Sequence, residues 1–422
     1  MEILIKDILT VLPDCVKTCS IHIRDDRIIS ISDTADGISA DKTILGTGKL
    51  LMPGLVNAHT HAAMSIFRNS ADDLLFNEWL FDKIMPMEDK LTGEDCYWGV
   101  MLAVMEMLRT GTTSFIDMYY FTDESARAIL ESGIRSTFSR GIAGDVAVVE
   151  EKLKNAIDEI NRLNGHDTLR FMLAPHAPYT CDEGFQREVA LEAKRLGIPI
   201  NTHLSESLAE IDTIKNQYGC SPIELADKTG LLTETTVAAH CVHLSDSDID
   251  LLAERGVNVV TNPVSNLKLA NGVAPVPKML AAGINVALGT DGAASNNTLN
   301  MFHDLSLLAI VHKGINHDAL AIDARTGFNI ATKNGARAMG YSDLGEIKAG
   351  NIADLVILNL NTPNMQPLND PVAALAYSAN GSEIETVIVS GKILMETKEF
   401  KTIDEDRVYF EINKICDRVG TK

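Results

Sequence analysis

The sequence predicts an α/β protein, a (β/α)8 barrel with a smaller β-sandwich domain built from both chain ends. Three observations point there. Between about residues 51 and 335, short apolar runs alternate eight times with amphipathic segments, the arithmetic of eight strand-helix units. Several of those runs finish on histidine or aspartate, and a barrel of this kind gathers its strand ends into one cup. The flanks differ, carrying short alternating runs with turn residues.

In chain order, ILIKDILTVL and SIHIRDDRIISI alternate apolar and polar residues, as do ADLVILNL and ETVIVSGKIL near the other end. Residues 1–50 and 345–400 are therefore expected to form one composite β-sandwich domain, 51–344 the barrel, and 401–422 a helical tail beginning near Asp404. Barrel strands are expected at 51–57, 112–118, 135–142, 169–174, 198–202, 236–239, 258–261 and 285–289. Helical spacing marks 94–109, 122–132, 149–163, 183–196 and 246–255. Asp182 and Ser245 stand where helix N-caps belong. Gly133, Gly197, Gly256 and Gly283 stand where helices end.

At 422 residues the chain exceeds a typical single core, which suits one large and one small domain. Hydrophobic content of 45% and charged content of 23% are ordinary for a globular protein, and no apolar run reaches the length of a membrane span. The amino terminus lacks the basic region and apolar core of a secretory signal, so a cytoplasmic location is expected. Seven scattered cysteines without a CxxC pair read as reduced thiols. A net charge of -21 argues against nucleic acid as a partner. Membrane partners are not expected either, whereas a homo-oligomer is compatible with the composition.

The most informative run is LMPGLVNAHTH (51–61), which closes on two histidines separated by one residue. On a strand, His59 and His61 point to the same side, and neutral imidazoles are common ligands for divalent metals. His176, His203, His240 and Asp291 close later runs in the same way, with Arg140 near the end of the third. Singly, such a histidine can hydrogen-bond a loop carbonyl and Asp291 can cap a helix. Their recurrence at strand ends favours a metal cluster, because His22, His166, His312 and His317 follow no such rule. Cys241 beside His240 would face the opposite way on a strand and is expected to pack.

The set PGLVNAHTH (53–61), THLSE (202–206), AAHCVHL (238–244), LGTDGAASNN (288–297) and GEIKAGNIADLVIL (345–358) resembles the metal-dependent amidohydrolase superfamily. NEWL (77–80), PMEDKLT (86–92), SRG (139–141) and APHAPYT (174–180) resemble the branch that deaminates 5'-methylthioadenosine and S-adenosylhomocysteine, with the related 5'-deoxyadenosine deaminases. The resemblance covers almost the whole chain. It implies one divalent metal per subunit, Zn2+ before Fe2+ or Mn2+, held by His59, His61, His203 and Asp291. The fourth strand, RFMLAPH, has no lysine that could bridge a second metal. A cation so held brings a water toward ionisation near neutral pH.

The resemblance further implies Asp291 as acceptor of the water proton and Glu206 as the shuttle that protonates N1 of an adenine ring. His240 orients the attacking oxygen. On the substrate side it implies Glu88 on the ribose hydroxyls, His176 on the purine or ribose, Arg140 at the far end and Trp79 against the 5' substituent. Some relatives that accept an amino-acid tail carry a second arginine soon after SRG, whereas this chain reads IAGDVAVVEE there. Deamination or dechlorination of another heterocycle, such as guanine, a pterin or a triazine, is the alternative, since the metal centre would serve any of them. A metal-free scaffold is disfavoured by the intact ligand set.

Overall fold

The computed structural model describes residues 1–35 and 37–421. Eight parallel strands lie side by side in chain order, and each is buried nearly throughout. The first four are Leu55–Thr60, Thr112–Tyr119, Arg135–Ile142 and Leu169–Pro175; the second four are Asn201–Leu204, Val237–His240, Asn258–Thr261 and Asn285–Leu288. Main-chain bonds join the two groups of four. Leu173 N donates to Pro199 O at 2.9 Å and His203 N to His176 O at 3.0 Å, while Asp291 N donates to His59 O at 2.9 Å. The ring is therefore closed, with every strand's carboxyl end at one mouth. Strands covered on both faces need continuous apolar runs, which is why they stand out in the sequence.

The connecting helices carry their instructions locally. Val149–Leu163 buries Val149, Leu153, Ala156 and Ile160, a stripe repeating every three to four residues. Ser245 and Asp248 form a reciprocal capping box at the start of Asp246–Arg255, and Asp182 accepts a bond from Phe185 N. Gly133, Gly197 and Gly256 close their helices at positive φ. Gly283 sits one residue further out, since Ala282 ends Val276–Ala281.

Two expected strands are corrected. The run 51–57 divides: Lys49–Pro53 pairs with Leu9, Thr10 and Leu355–Asn359 in the outer sheet, and the first barrel strand starts at Leu55. Both pieces are fully buried, so hydrophobicity could not separate them. Gly54 makes the crossing, where a Cβ would fall 1.9 Å from Thr113 Oγ1. The fifth strand begins at Asn201 rather than 198, because Ile198 N bonds back to Ala193 O and completes the end of the preceding helix. His203 consequently lies within the strand.

Nine strands from both chain ends make the outer sheet, in the order 399–400, 392–396, 384–389, 355–359, 49–53, 2–11, 16–24 and 27–32, with 42–45 paired on 2–11. Ile3, Ile5, Ile21, Ile23, Leu355 and Ile357 help to fill a core of its own. The barrel is fastened to this sheet by a buried ion pair. Arg135 Nε and Nη2 donate to the two oxygens of Asp354 at 2.8 and 3.1 Å, and Nη2 also donates to Ser390 Oγ at 2.6 Å. Removing one partner of such a pair strands the other's charge. Arg135→Ala is therefore expected to lower stability by about 3–5 kcal/mol, read from urea unfolding midpoints. The tail forms the helix Glu405–Val419, capped by Asp404. Among the described residues no helix is long and apolar enough to cross a membrane.

Candidate active site

At the barrel mouth, residues from the first, fifth and eighth strands meet. His61 Nε2 lies 3.3 Å from His203 Nε2 and 3.4 Å from Asp291 Oδ1, and His59 Nε2 lies 3.6 Å from the same oxygen. His240, at the end of the sixth strand, comes close as well: the donor atoms of His59, His203 and His240 fall within 4.8 Å of one another. Tight turns aim these groups inward. His240 and Asp291 hold φ of +73° and +64°, a left-handed conformation uncommon for non-glycine residues. Gly289 lets this happen, since a Cβ there would lie 2.8 Å from His59 N and 2.5 Å from Asn262 Oδ1.

The hydrogen bonds of the donor set suit a cation. His61 Nδ1 and His203 Nδ1 each lie 2.7 Å from a main-chain carbonyl, of Met118 and His176 respectively. Each Nδ1 must donate, so both Nε2 atoms are bare lone pairs and cannot bond each other. Burial also drives His59 and His203 well below the ordinary imidazole range, leaving them neutral. Both ring nitrogens of His59 are buried without a hydrogen-bond partner. Atoms sharing a tetrahedral cation at ~2.0–2.1 Å lie about 3.3–3.4 Å apart. The separations match, and three imidazoles with one carboxylate suit a divalent metal.

Asp291 has one oxygen for the cluster and one for support. Ser265 Oγ and Ser295 Oγ donate to Oδ2 at 2.6 and 2.7 Å. Burial raises its carboxyl, but the polar surroundings, the neighbouring imidazole rings and the Ser265 hydroxyl among them, outweigh that and hold it below the carboxylate range. Glu206 is buried, and burial raises it above that range. Its main chain is pinned by Glu210, whose oxygens accept from Ser205 N at 2.9 Å and Glu206 N at 2.8 Å.

Above the cluster opens a cavity of about 220 Å³, lined by Trp79, Glu88, His176, Glu206 and apolar side chains such as Phe76 and Met85. Trp79 Nε1 donates to Ala294 O at 3.2 Å, and His176 Nδ1 bonds Thr180 Oγ1 at 2.9 Å. Burial pushes Glu88 up to about 7, partly opposed by the Tyr119 hydroxyl. Arg140 does not line the cavity. Its guanidinium pairs with Glu159 at 2.5 Å, and Lys152 lines the wall in its place. The Lys152 ammonium donates to Ala143 O at that wall.

The sequence matches the family described as the Amidohydrolase family over residues 50–394. The chain belongs to the amidohydrolase family. Over 422 residues it is 46% identical to a 5-methylthioadenosine/S-adenosylhomocysteine deaminase of Caldanaerobacter subterraneus subsp. tengcongensis, covering 98% of both chains. A 5'-deoxyadenosine deaminase of Methanothermobacter thermautotrophicus is 44% identical over 397 residues, with 93% of each covered. An adenosine deaminase from Xanthomonas campestris, solved with bound zinc, superposes with a TM-score of 0.96 at 34% identity, covering 100% of this chain and 99% of that one.

This amidohydrolase thus brings His59, His61, His203, His240, Asp291, Glu206, Glu88, His176 and Trp79 to one mouth, and leaves Arg140 outside the cavity. Residues that strand-end logic passed over also reach the site. Ser265, Ser295, Glu210 and Asn271 touch its acids, and only the spacing of Glu210 from Glu206, one helical turn, was a usable signal.

Proposed function

We propose that this amidohydrolase hydrolyses the 6-amino group of adenosine-type nucleosides, converting 5'-methylthioadenosine, S-adenosylhomocysteine, 5'-deoxyadenosine and adenosine to their inosine analogues and ammonia. One observation carries the reading: a cation-ready donor set, a buried acid with a raised pKa and a second carboxylate share one cavity. The names of the relatives agree with it.

His59, His61, His203 and Asp291 would hold one Zn2+ per subunit. When bound, the metal supplies Lewis acidity and a water acidic enough to ionise near neutral pH. The chain supplies the proton traffic. Asp291 accepts the proton that water loses as its oxygen joins C6. Glu206 gives its proton to N1, where the displaced ring electrons would otherwise place a negative charge. His240 orients the attacking oxygen. Asp291 then passes its proton to the amino group, the C6–N bond breaks with ammonia leaving, and the proton of the C6 hydroxyl returns to Glu206 as a carbonyl remains at C6.

Glu88 accepts the two ribose hydroxyls, whose bonds favour its charged form against the upward push of burial. Trp79 packs on the 5' group and His176 on the purine. Lys152 is the cation at the wall for an acidic tail, with Arg140 engaged by Glu159.

The test is a substrate panel. Nucleosides with small or apolar 5' groups are expected to match or exceed S-adenosylhomocysteine. Adenine and 2',3'-dideoxyadenosine should fall by as much as about 10⁴ in kcat/KM, because they leave Glu88 unpaired. Glu88→Ala should shrink that gap. Lys152→Met should lower kcat/KM about tenfold for S-adenosylhomocysteine alone, the loss of one half-buried charge contact. A preference for guanine or another free base would overturn the nucleoside assignment.

A further inference from the structure

Three proton-handling groups are each bonded from a single segment, residues 262–272, which follows the seventh barrel strand. Ser265 Oγ donates to Asp291 Oδ2 at 2.6 Å, Asn266 Oδ1 lies 2.9 Å from His240 Nδ1, and Asn271 Nδ2 donates to Glu206 Oε1 at 3.0 Å. All three side chains are buried. The segment is tied into one unit. Leu269 N bonds Ser265 O at 2.9 Å, Ala270 turns the chain at φ +57°, and Asn271 N returns to Asn266 O at 2.8 Å. The seventh strand itself sends no predicted ligand or acid into the cup, so this contact is its share of the site.

We infer that Asn271 is the positioning residue of Glu206 and decides which of its oxygens carries the transferred proton. The inference rests on Glu206 being the shuttle. A carboxylic acid carries its proton on one oxygen, and an amide NH2 can only donate. Oε1, accepting from Asn271, is therefore kept bare, and the proton resides on Oε2. Glu210 fixes the Glu206 backbone, accepting from Ser205 N and Glu206 N. Neither bond of Glu210 restrains the side-chain torsions, which is the freedom that Asn271 removes. Misplacing a reacting group by about 1 Å can cost 10²-fold, so the effect belongs in kcat rather than in substrate binding.

The experiment compares wild type, Asn271→Ala and Asn271→Asp with 5'-methylthioadenosine, recording kcat, KM and bound metal, and repeats Asn271→Ala in a Glu206→Gln background under single-turnover conditions. Asn271→Ala is expected to lower kcat about 10–100-fold, with KM within about twofold and metal unchanged. Asn271→Asp, the same size but an acceptor facing a carboxyl, should lose more. With Glu206→Gln already present, Asn271→Ala should cost less than about twofold, because residues acting through one group are not additive. If Asp is milder than Ala, or the Ala loss persists in the Gln background, the role is structural and the inference is overturned. Unchanged kcat in Asn271→Ala overturns it while leaving deamination intact, whereas a wild type that deaminates no nucleoside overturns both.

Discussion

Substituting His203 by alanine is expected to abolish metal retention and turnover together. Its Nε2 faces the bare Nε2 of His61 at 3.3 Å, and its Nδ1 is committed to the His176 carbonyl. Loss of a partner that merely supports a ligand costs about 10–100-fold in affinity. Loss of the ligand should exceed the top of that range, and His59→Ala should do the same. Metal content after gel filtration, read beside kcat, checks this. Full occupancy with normal turnover in either variant would remove the basis of the assignment.

Glu206→Gln is expected to separate the two properties that His203→Ala loses together. The amide keeps the volume and can still accept from Asn271, but it cannot give and retake a proton. Turnover should fall about 10²–10⁴-fold, the span supplied by a positioned acid or base, with metal content unchanged. Burial holds the native carboxyl above its ordinary range, so it starts closer to the protonated form its role demands. Loss of metal from the Gln variant would instead make Glu206 a ligand.

The barrel was readable because the parallel strands are buried on both faces and amphipathic helices follow them, several with their own caps. Strand ends were readable where apolar residues gave way to histidine, as at His59, His61 and His240. Boundaries were less so. Hydrophobicity is blind to the passage from the outer sheet to the barrel at Gly54, since Met52 and Val56 are equally buried. The positive φ of His240 and Asp291 leaves no trace in periodicity. In the segment 262–272, serine and asparagine are ordinary loop and cap residues, and only the fold brings Asn271 to Glu206. Arg140 and Lys152 make the same point about direction. One lies on the third strand and the other on the helix after it, and tertiary packing turns the arginine toward Glu159 and brings the lysine to the cavity wall.

Metal-dependent deamination is read most directly from ammonia release from 5'-methylthioadenosine, followed alongside the loss of adenine absorbance, for protein stripped of metal and then reloaded with one equivalent of Zn2+. One ammonia per nucleoside consumed is expected, with turnover absent in the stripped protein and restored at one equivalent per chain. Equal turnover by the stripped protein, or zinc-restored protein that leaves the amino group in place, would contradict it.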